Sequence, residues 1–301
     1  MNKDNLCLIA GSASRDFAHQ LASQLNTSIA NTETIVFSDG NIFVKINEDI
    51  HKKDVMIVQS LYGHDSNNHF LELLFLIDAC KRYNVTSITA VIPFFSYAKS
   101  DKQDGDGTSI RARVCADCLQ VAGATRVMLM DLHSPSISGF FSIPVEHVSA
   151  MSTLCDHIKN YHLQNLTIVA PDAGFAKQAR LYASYLGVPC VICDKNRPDH
   201  SESPNVMEII GNVAGKDCVI VDDFATSGGT LIEATNALLN NHANSVYVAV
   251  SHAPLTSTAI EKIISSPIKK VFTTNSADAS GTENNDRFDI LDVSGLFAQK
   301  H

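Results

Sequence analysis

The chain has 301 residues, and 23 lysines and arginines against 32 aspartates and glutamates leave a formal charge of −9. Hydrophobic residues make up 45% and charged residues 18%, which excludes a disordered chain, a collagen-like repeat and a coiled coil. The acidic balance argues against a dedicated nucleic-acid binder, and no apolar run approaches the roughly 20 residues of a membrane-spanning helix.

At the N-terminus, Met1-Asn2-Lys3-Asp4 leads into an apolar run without the regions of a secretory signal, so a cytoplasmic setting is expected. Short apolar runs then alternate with helix-period segments. Leu6–Ala10, Val55–Gln59, Ile88–Ile92, Val127–Met130, Leu166–Ala170, Pro189–Cys193, Cys218–Val221 and Val246–Val250 read as strands. Their continuous apolar character suits a parallel sheet covered on both faces. Between them, Phe70, Leu73, Leu74 and Ile77 give Ser66–Tyr83 a helical stripe, and Leu231, Ala234 and Leu238 do the same for Gly229–Leu239.

This alternation predicts an α/β protein of two similar doubly wound parallel-sheet domains, residues 1–148 and 149–301. Weak echoes support the doubling: Val127–Asp131 matches Val219–Asp223, and Ala90–Pro93 matches Ile168–Pro171. Asp101–Thr108, Asp199–Pro204 and Asn275–Asp286 read as polar loops. The C-x-x-C pairs Cys115/Cys118 and Cys190/Cys193 could suggest zinc. A helical pattern around the first and a strand around the second favour buried free thiols instead.

The most informative segment is Val219-Ile220-Val221-Asp222-Asp223-Phe224-Ala225-Thr226-Ser227-Gly228-Gly229-Thr230. A strand ends in two carboxylates, and a small-residue loop opens a helix. Free N–H groups and the helix dipole attract phosphate there, and glycines allow close approach. The carboxylates can take sugar hydroxyls or Mg²⁺. An ordinary strand–turn–helix with a Ser or Thr cap is the simpler alternative for the loop alone. Asp172 follows a predicted strand where open α/β sheets bind ligands, and reads as a metal or hydroxyl ligand, or as the cap of a helix starting near Ala173. Lys195 and Arg197, two apart, can clamp phosphoryl oxygens from an extended loop, or form a solvated basic turn. Phe37 reads as a stacking platform or as a core residue.

The loop V-D-D-F-A-T-S-G-G-T resembles the ribose-5-phosphate loop of phosphoribosyltransferases and ribose-phosphate pyrophosphokinases. Other landmarks resemble the pyrophosphokinases specifically: Val36–Gly40, Pro93–Lys102, Asp131-Leu132-His133 with Gly139-Phe140-Phe141, Ala170–Gly174, and Asp194–Pro198. They run in family order along nearly the whole chain. The resemblance implies diphosphoryl transfer from ATP to the C1 hydroxyl of ribose 5-phosphate, with Mg²⁺. It implies ATP contacts by Phe37, Asp39, Lys99, Asp101 and His133, and metal binding by His133 and Asp172. It also implies ribose-5-phosphate contacts by Asp172, Asp222, Asp223, Thr226, Ser227, Gly228, Gly229 and Thr230, and catalysis by Lys195, Arg197 and His133. The family's ATP loop is offered by a neighbouring subunit, so a dimer-based homo-oligomer is implied, with a hexamer as one such assembly. No nucleic-acid or membrane partner is expected.

Departures from the family pattern are local. Thr226 stands for an acidic residue, Asn41 for Glu, and Lys99-Ser100 for Arg-Gln. They favour, as the alternative, a non-catalytic regulatory member. Asp104 and Asp106 lie where phosphate-activated members carry a basic stretch, so no need for inorganic phosphate is expected.

Overall fold

The computed structural model describes residues 5–195, 207–277, 281–282 and 285–300, with the side chain of Lys195 left out. Arg197, the expected loop Asp199–Pro204 and parts of Asn275–Asp286 lie outside them. The chain divides into two compact units. One is Met1–Ser149 with Ser276–Asp278 and Asp292–His301; the other is Ala150–Asn275 with Ala279–Leu291.

In chain order the first unit contains β1 (Leu6–Ala10), α1 (Arg15–Leu25), β2 (Thr32–Val36), β3 (Ile42–Ile46), β4 (Asp54–Val58), α2 (Ser66–Arg82), β5 (Ser87–Ile92), α3 (Arg111–Ala122), β6 (Arg126–Met130) and β7 (Val145–Val148). Five strands form a parallel sheet in the order β1-β4-β5-β6-β7. Strands β2 and β3 form a separate antiparallel hairpin. Side chains alternate across a strand. Cys7, Ile9, Val55, Ile57, Val127 and Leu129 therefore share one core with Phe70, Leu73 and Ile77 of α2 and Cys115 and Leu119 of α3. The opposite parity, Leu8, Met56, Val58 and Met128, is buried as well. That double burial is why these strands read as unbroken apolar runs.

The second unit contains α4 (Met151–Asn160), β8 (Thr167–Ala170), α5 (Ala176–Leu186), β9 (Cys190–Lys195), β10 (Met207–Ile210), β11 (Asp217–Phe224), α6 (Gly229–Asn240), β12 (Ser245–His252), α7 (Ser257–Ser265), β13 (Val271–Thr274) and β14 (Phe288–Leu291). Its seven strands run β10-β9-β8-β11-β12-β13-β14. Only β10, against β9, is antiparallel. Leu231, Ala234 and Leu238 of α6 and Ile260 and Ile263 of α7 pack with Ile220, Val248 and Val250. At the amino end of β11, Asp217 is buried with its carboxylate satisfied, accepting from Gln164 N–H, Asn244 Nδ2 and Ser245 Oγ at 2.7, 2.6 and 2.6 Å.

The second domain, expected to run to residue 301, ends earlier. The last helix, α8 (Ser294–Ala298), belongs to the first unit. Phe297 is fully buried and meets Phe17 of α1 edge-on at 5.5 Å. Arg126 donates to the Lys300 carbonyl at 2.8 Å, and the Lys300 ammonium meets Glu146 at 3.1 Å. Burial of the phenyl ring decides this attachment.

All eight cysteines are free thiols. Desolvation pushes Cys80, Cys115, Cys155 and Cys218 up to about 12 and Cys193 up to about 11, so they act as small core hydrophobes rather than nucleophiles. No helix among the described residues is long and apolar enough to cross a membrane.

Candidate active site

In the second unit the strand order turns back at β8, because β9 lies on one side of it and β11 on the other. Ligands of open α/β sheets bind at the carboxyl ends of strands flanking such a reversal. Asp172 follows β8, and Asp222 and Asp223 end β11, so all three carboxylates sit at those ends.

Their electrostatics follow from this placement. Burial, first, and then the negative charge of Asp223, with a further contribution from Asp172, raise the Asp222 carboxyl well above the usual carboxylate range. Asp223 N–H donates to Asp222 Oδ1 at 3.0 Å, and Phe224 N–H donates to Asp223 Oδ1 at 2.8 Å. A cluster of like charges held this close is relieved by a cation or by hydroxyl groups that share its protons. Asp172 is exposed, and its Oδ1 accepts the Phe175 N–H at 3.0 Å. That bond closes a turn before α5, which starts at Ala176 rather than near Ala173.

The loop after β11 is anchored by Ala225 N–H to the His252 carbonyl at 2.9 Å. Thr226, Ser227 and Thr230 are exposed, while Gly228 is buried. Gly228 occupies the cap position of α6 with φ of 70°, and no side chain caps this helix. A Cβ there would lie 3.2 Å from both Cδ1 and Cγ1 of Ile263. The first-turn N–H groups of α6 thus begin directly at a glycine, the arrangement that receives an anion.

In the first unit, Phe37 lies at the turn of the β2–β3 hairpin and is 50% exposed, which removes the core reading for this chain. Its ring is 6.4 Å from that of Phe43. Asn41 donates to both oxygens of Asp39, at 3.1 Å from its backbone and 2.7 Å from its side chain. These bonds hold the Asp39 carboxyl below its ordinary range. Lys99 is exposed at the end of a 3-10 turn, Ser96–Lys99, and Asp101 follows, partly exposed. Phe94 and Phe95 are buried, and Tyr97 rests against Phe70 at 5.8 Å, so the aromatic trio packs this loop. His133 is exposed beyond β6, where Asp131 adopts a positive φ of 36°. That left-handed residue turns the chain sharply at the strand exit.

Lys195 ends β9 opposite Met207, two residues beyond the expected strand end at Cys193. Among the described residues no three His, Cys, Asp or Glu side chains gather as a metal cage. Asp172 nevertheless offers the oxygen donors Mg²⁺ prefers, and His133 a nitrogen donor. An ion held by one or two carboxylates takes its other ligands from phosphate and water.

A cavity of about 300 Å³ lies in the first unit, lined by residues including Arg15, Thr34, Asp65, His69 and Glu72. Glu72 carries little local mark of its place in the fold. Its signal is a carboxylate inside the apolar run Phe70-Leu71-Glu72-Leu73-Leu74.

Parallel α/β units with paired carboxylates at a strand end and a glycine-led helix start define a protein of phosphoribosyltransferase type. The comparisons narrow this. Residues 6–123 match the N-terminal domain of ribose phosphate pyrophosphokinase, and residues 149–281 match the phosphoribosyl transferase domain. A ribose-phosphate pyrophosphokinase of Aquifex aeolicus is 40% identical over 269 residues, covering 89% of this chain and 86% of its own. One of Brucella melitensis is 38% identical over 97% of this chain and 94% of its own. The solved phosphoribosylpyrophosphate synthetase of Mycobacterium smegmatis superposes with a TM-score of 0.92 at 32% identity, covering 98% of this chain and 97% of that one. The chain belongs to the ribose-phosphate pyrophosphokinase family and is a transferase.

Proposed function

We propose that the chain converts ATP and ribose 5-phosphate to AMP and phosphoribosyl pyrophosphate with the following division of labour. The C1 hydroxyl oxygen attacks the β-phosphorus, the bond from that phosphorus to the α,β-bridging oxygen breaks, and the β,γ-diphosphoryl group moves as a unit. Such a transfer depends on alignment and on neutralising charge.

The start of α6, with Thr226, Ser227, Gly228, Gly229 and Thr230, holds the 5-phosphate through N–H and hydroxyl donors. Asp222 and Asp223 accept from the ribose hydroxyls. The raised Asp222 carboxyl gains most from this, because hydroxyl donors offset the desolvation its burial imposes and the repulsion from Asp223. Phe37 offers its exposed ring to the adenine, and Asp39, Lys99 and Asp101 provide polar contacts to the nucleotide. Lys195 and Arg197 clamp the migrating oxygens, the first as a point charge and the second as a planar fork. Asp172 and His133 would hold Mg²⁺, which would neutralise phosphate charge. The active form is a homo-oligomer in which one subunit offers its hairpin to the nucleotide site of another. Inorganic phosphate is not required.

The observation that carries this reading is the Asp222 carboxyl, raised by burial and by Asp223, at a strand end followed by an uncapped helix led by Gly228, in a chain of this family. Incubation with ATP, Mg²⁺ and ribose 5-phosphate tests it. AMP should form in step with phosphoribosyl pyrophosphate, and an absence of sugar-dependent AMP at any Mg²⁺ level would refute it in favour of a regulatory role.

A further inference from the structure

We propose that Glu72 is a positioning residue, whose buried carboxylate sets the angle at which the β2–β3 hairpin presents Phe37 and Asp39. This rests on the reading of the hairpin as a nucleotide contact.

Glu72 is 2% exposed on α2, beside the buried Phe70, Leu73, Leu76 and Ile77. A carboxylate is tolerated in such a place only where donors surround it. Here they come from three other segments. Ser12, just after β1, donates its N–H to both carboxylate oxygens at 3.2 and 3.3 Å, and its hydroxyl to Oε2. Gln59, just after β4 and fully buried, donates Nε2 to Oε2 at 2.6 Å. Thr34, in β2, donates its hydroxyl to Oε1 at 2.8 Å.

Gln59 is itself fixed. Its Oε1 accepts the Ala13 N–H at 3.1 Å, and its Nε2 also reaches the His69 carbonyl at 3.3 Å. A Cβ on Gly11 would fall 2.3 Å from Gln59 Oε1, so the chain keeps a glycine where this amide must sit.

The hairpin needs such a mounting. It lies outside the five-stranded ladder, and an isolated two-stranded sheet is marginally stable. On its β3 side, Ile46 is buried and Val44 packs on the core. On its β2 side, among the described residues, Thr34 makes the one side-chain hydrogen bond that ties the hairpin to the rest of the unit. The cavity of about 300 Å³ opens beside that bond, between Val36 and Ile42 of the hairpin and Asp65, Asn68 and His69. Packing on this side is therefore incomplete, and a hydrogen bond rather than a filled core sets the hairpin's angle. Thr34 precedes Phe37 by three residues, a lever of about 10 Å in extended chain.

The test is Thr34→Val, which keeps the shape and leaves the other donors on Glu72. Steady-state kinetics should show KM for ATP rising about tenfold, the loss expected for one hydrogen bond to a charged group. KM for ribose 5-phosphate should stay near wild type, any fall in Tm should be small because Ser12 and Gln59 still donate to Glu72, and Thr34→Ser should restore KM for ATP. Equal rises in both KM values, or a fall in Tm without a change in KM for ATP, would overturn the proposal as a merely structural role. Phe37→Ala is the control. If it raises KM for ATP and Thr34→Val does not, Glu72 does not position the hairpin. If Phe37→Ala itself leaves KM for ATP unchanged, the nucleotide reading of the hairpin fails and takes this proposal with it. Should Thr34→Val not fold, Gly11→Ala dislodges Gln59 from the same carboxylate and should give the same selective rise, with the same result overturning the proposal.

Discussion

Gly228→Ala probes the phosphate loop through two separable costs. The first is conformational. At φ of 70° an L-residue with a Cβ occupies the left-handed region, at about 1–2 kcal/mol. The second is steric. The new methyl would sit 3.2 Å from Cδ1 and Cγ1 of Ile263 on α7, tighter than ordinary contact. Ile263 is 1% exposed and cannot turn away freely, so overpacking adds about 1 kcal/mol. The sum, about 2–3 kcal/mol, should appear in urea unfolding as a lower midpoint at unchanged slope. Kinetically, KM for ribose 5-phosphate should rise while KM for ATP holds, because in the proposed division of labour only the 5-phosphate meets this helix start. A double-mutant cycle with Ile263→Val, which deletes Cδ1, separates the two costs. The part of the steric cost due to Cδ1 should be recovered, while the contact with the remaining γ carbon and the conformational part should persist. A Gly228→Ala protein within about 0.5 kcal/mol of wild type, or full recovery by Ile263→Val, would show that the loop does not need its left-handed glycine.

Lys195→Ala should lower kcat by on the order of 10²-fold with little change in substrate affinity, as removal of a transition-state contact does; an effect confined to KM would make Lys195 a binding residue only. Asp222→Asn should trade activity for stability in the metal-free protein. Because burial and Asp223 raise the folded-state carboxyl, the folded chain holds a proton that the unfolded chain releases, and stability falls as pH rises through that interval. The variant should therefore melt above wild type at pH 8, with the gap closing near pH 4, where an unfolded Asp also protonates; a wild type that melts higher at pH 8 would contradict this. Titrating inorganic phosphate at fixed Mg²⁺ should leave the rate nearly flat, since the exposed Asp104 and Asp106 repel it; a steep activation would remove that expectation.

The eight apolar runs were legible because both faces of the two sheets are buried, which writes each strand as a continuous stretch. Strands without that double burial left weaker marks. Thr32–Val36 and Ile42–Ile46 alternate in burial on a hairpin of their own, and Val145–Val148 and Phe288–Leu291 are partly exposed sheet edges. Among candidate site residues, Asp172, Asp222 and Asp223 were legible in position because each ends or follows a strand. What the sequence could not show is the charge of Asp172 and Asp223 acting on Asp222, which for Asp172 depends on β8 and β11 being neighbours, although 45 residues lie between Pro171 and Asp217. Glu72 was hidden for a related reason. Its donors Ser12, Thr34 and Gln59 come from three distant segments, so nothing local distinguishes it from a solvated helix glutamate.

The placement of Phe297 against Phe17 has a consequence for synthesis. The first unit is assembled from both ends of the described chain, with the second unit made between them. As residues emerge from the ribosome, the sheet of the first unit can form early, yet α1 waits for its partner until the whole second unit has been translated. During that interval Phe17 and its neighbours present an apolar surface to the cell, so the order of assembly, rather than the finished fold, is where this chain is exposed to misassociation.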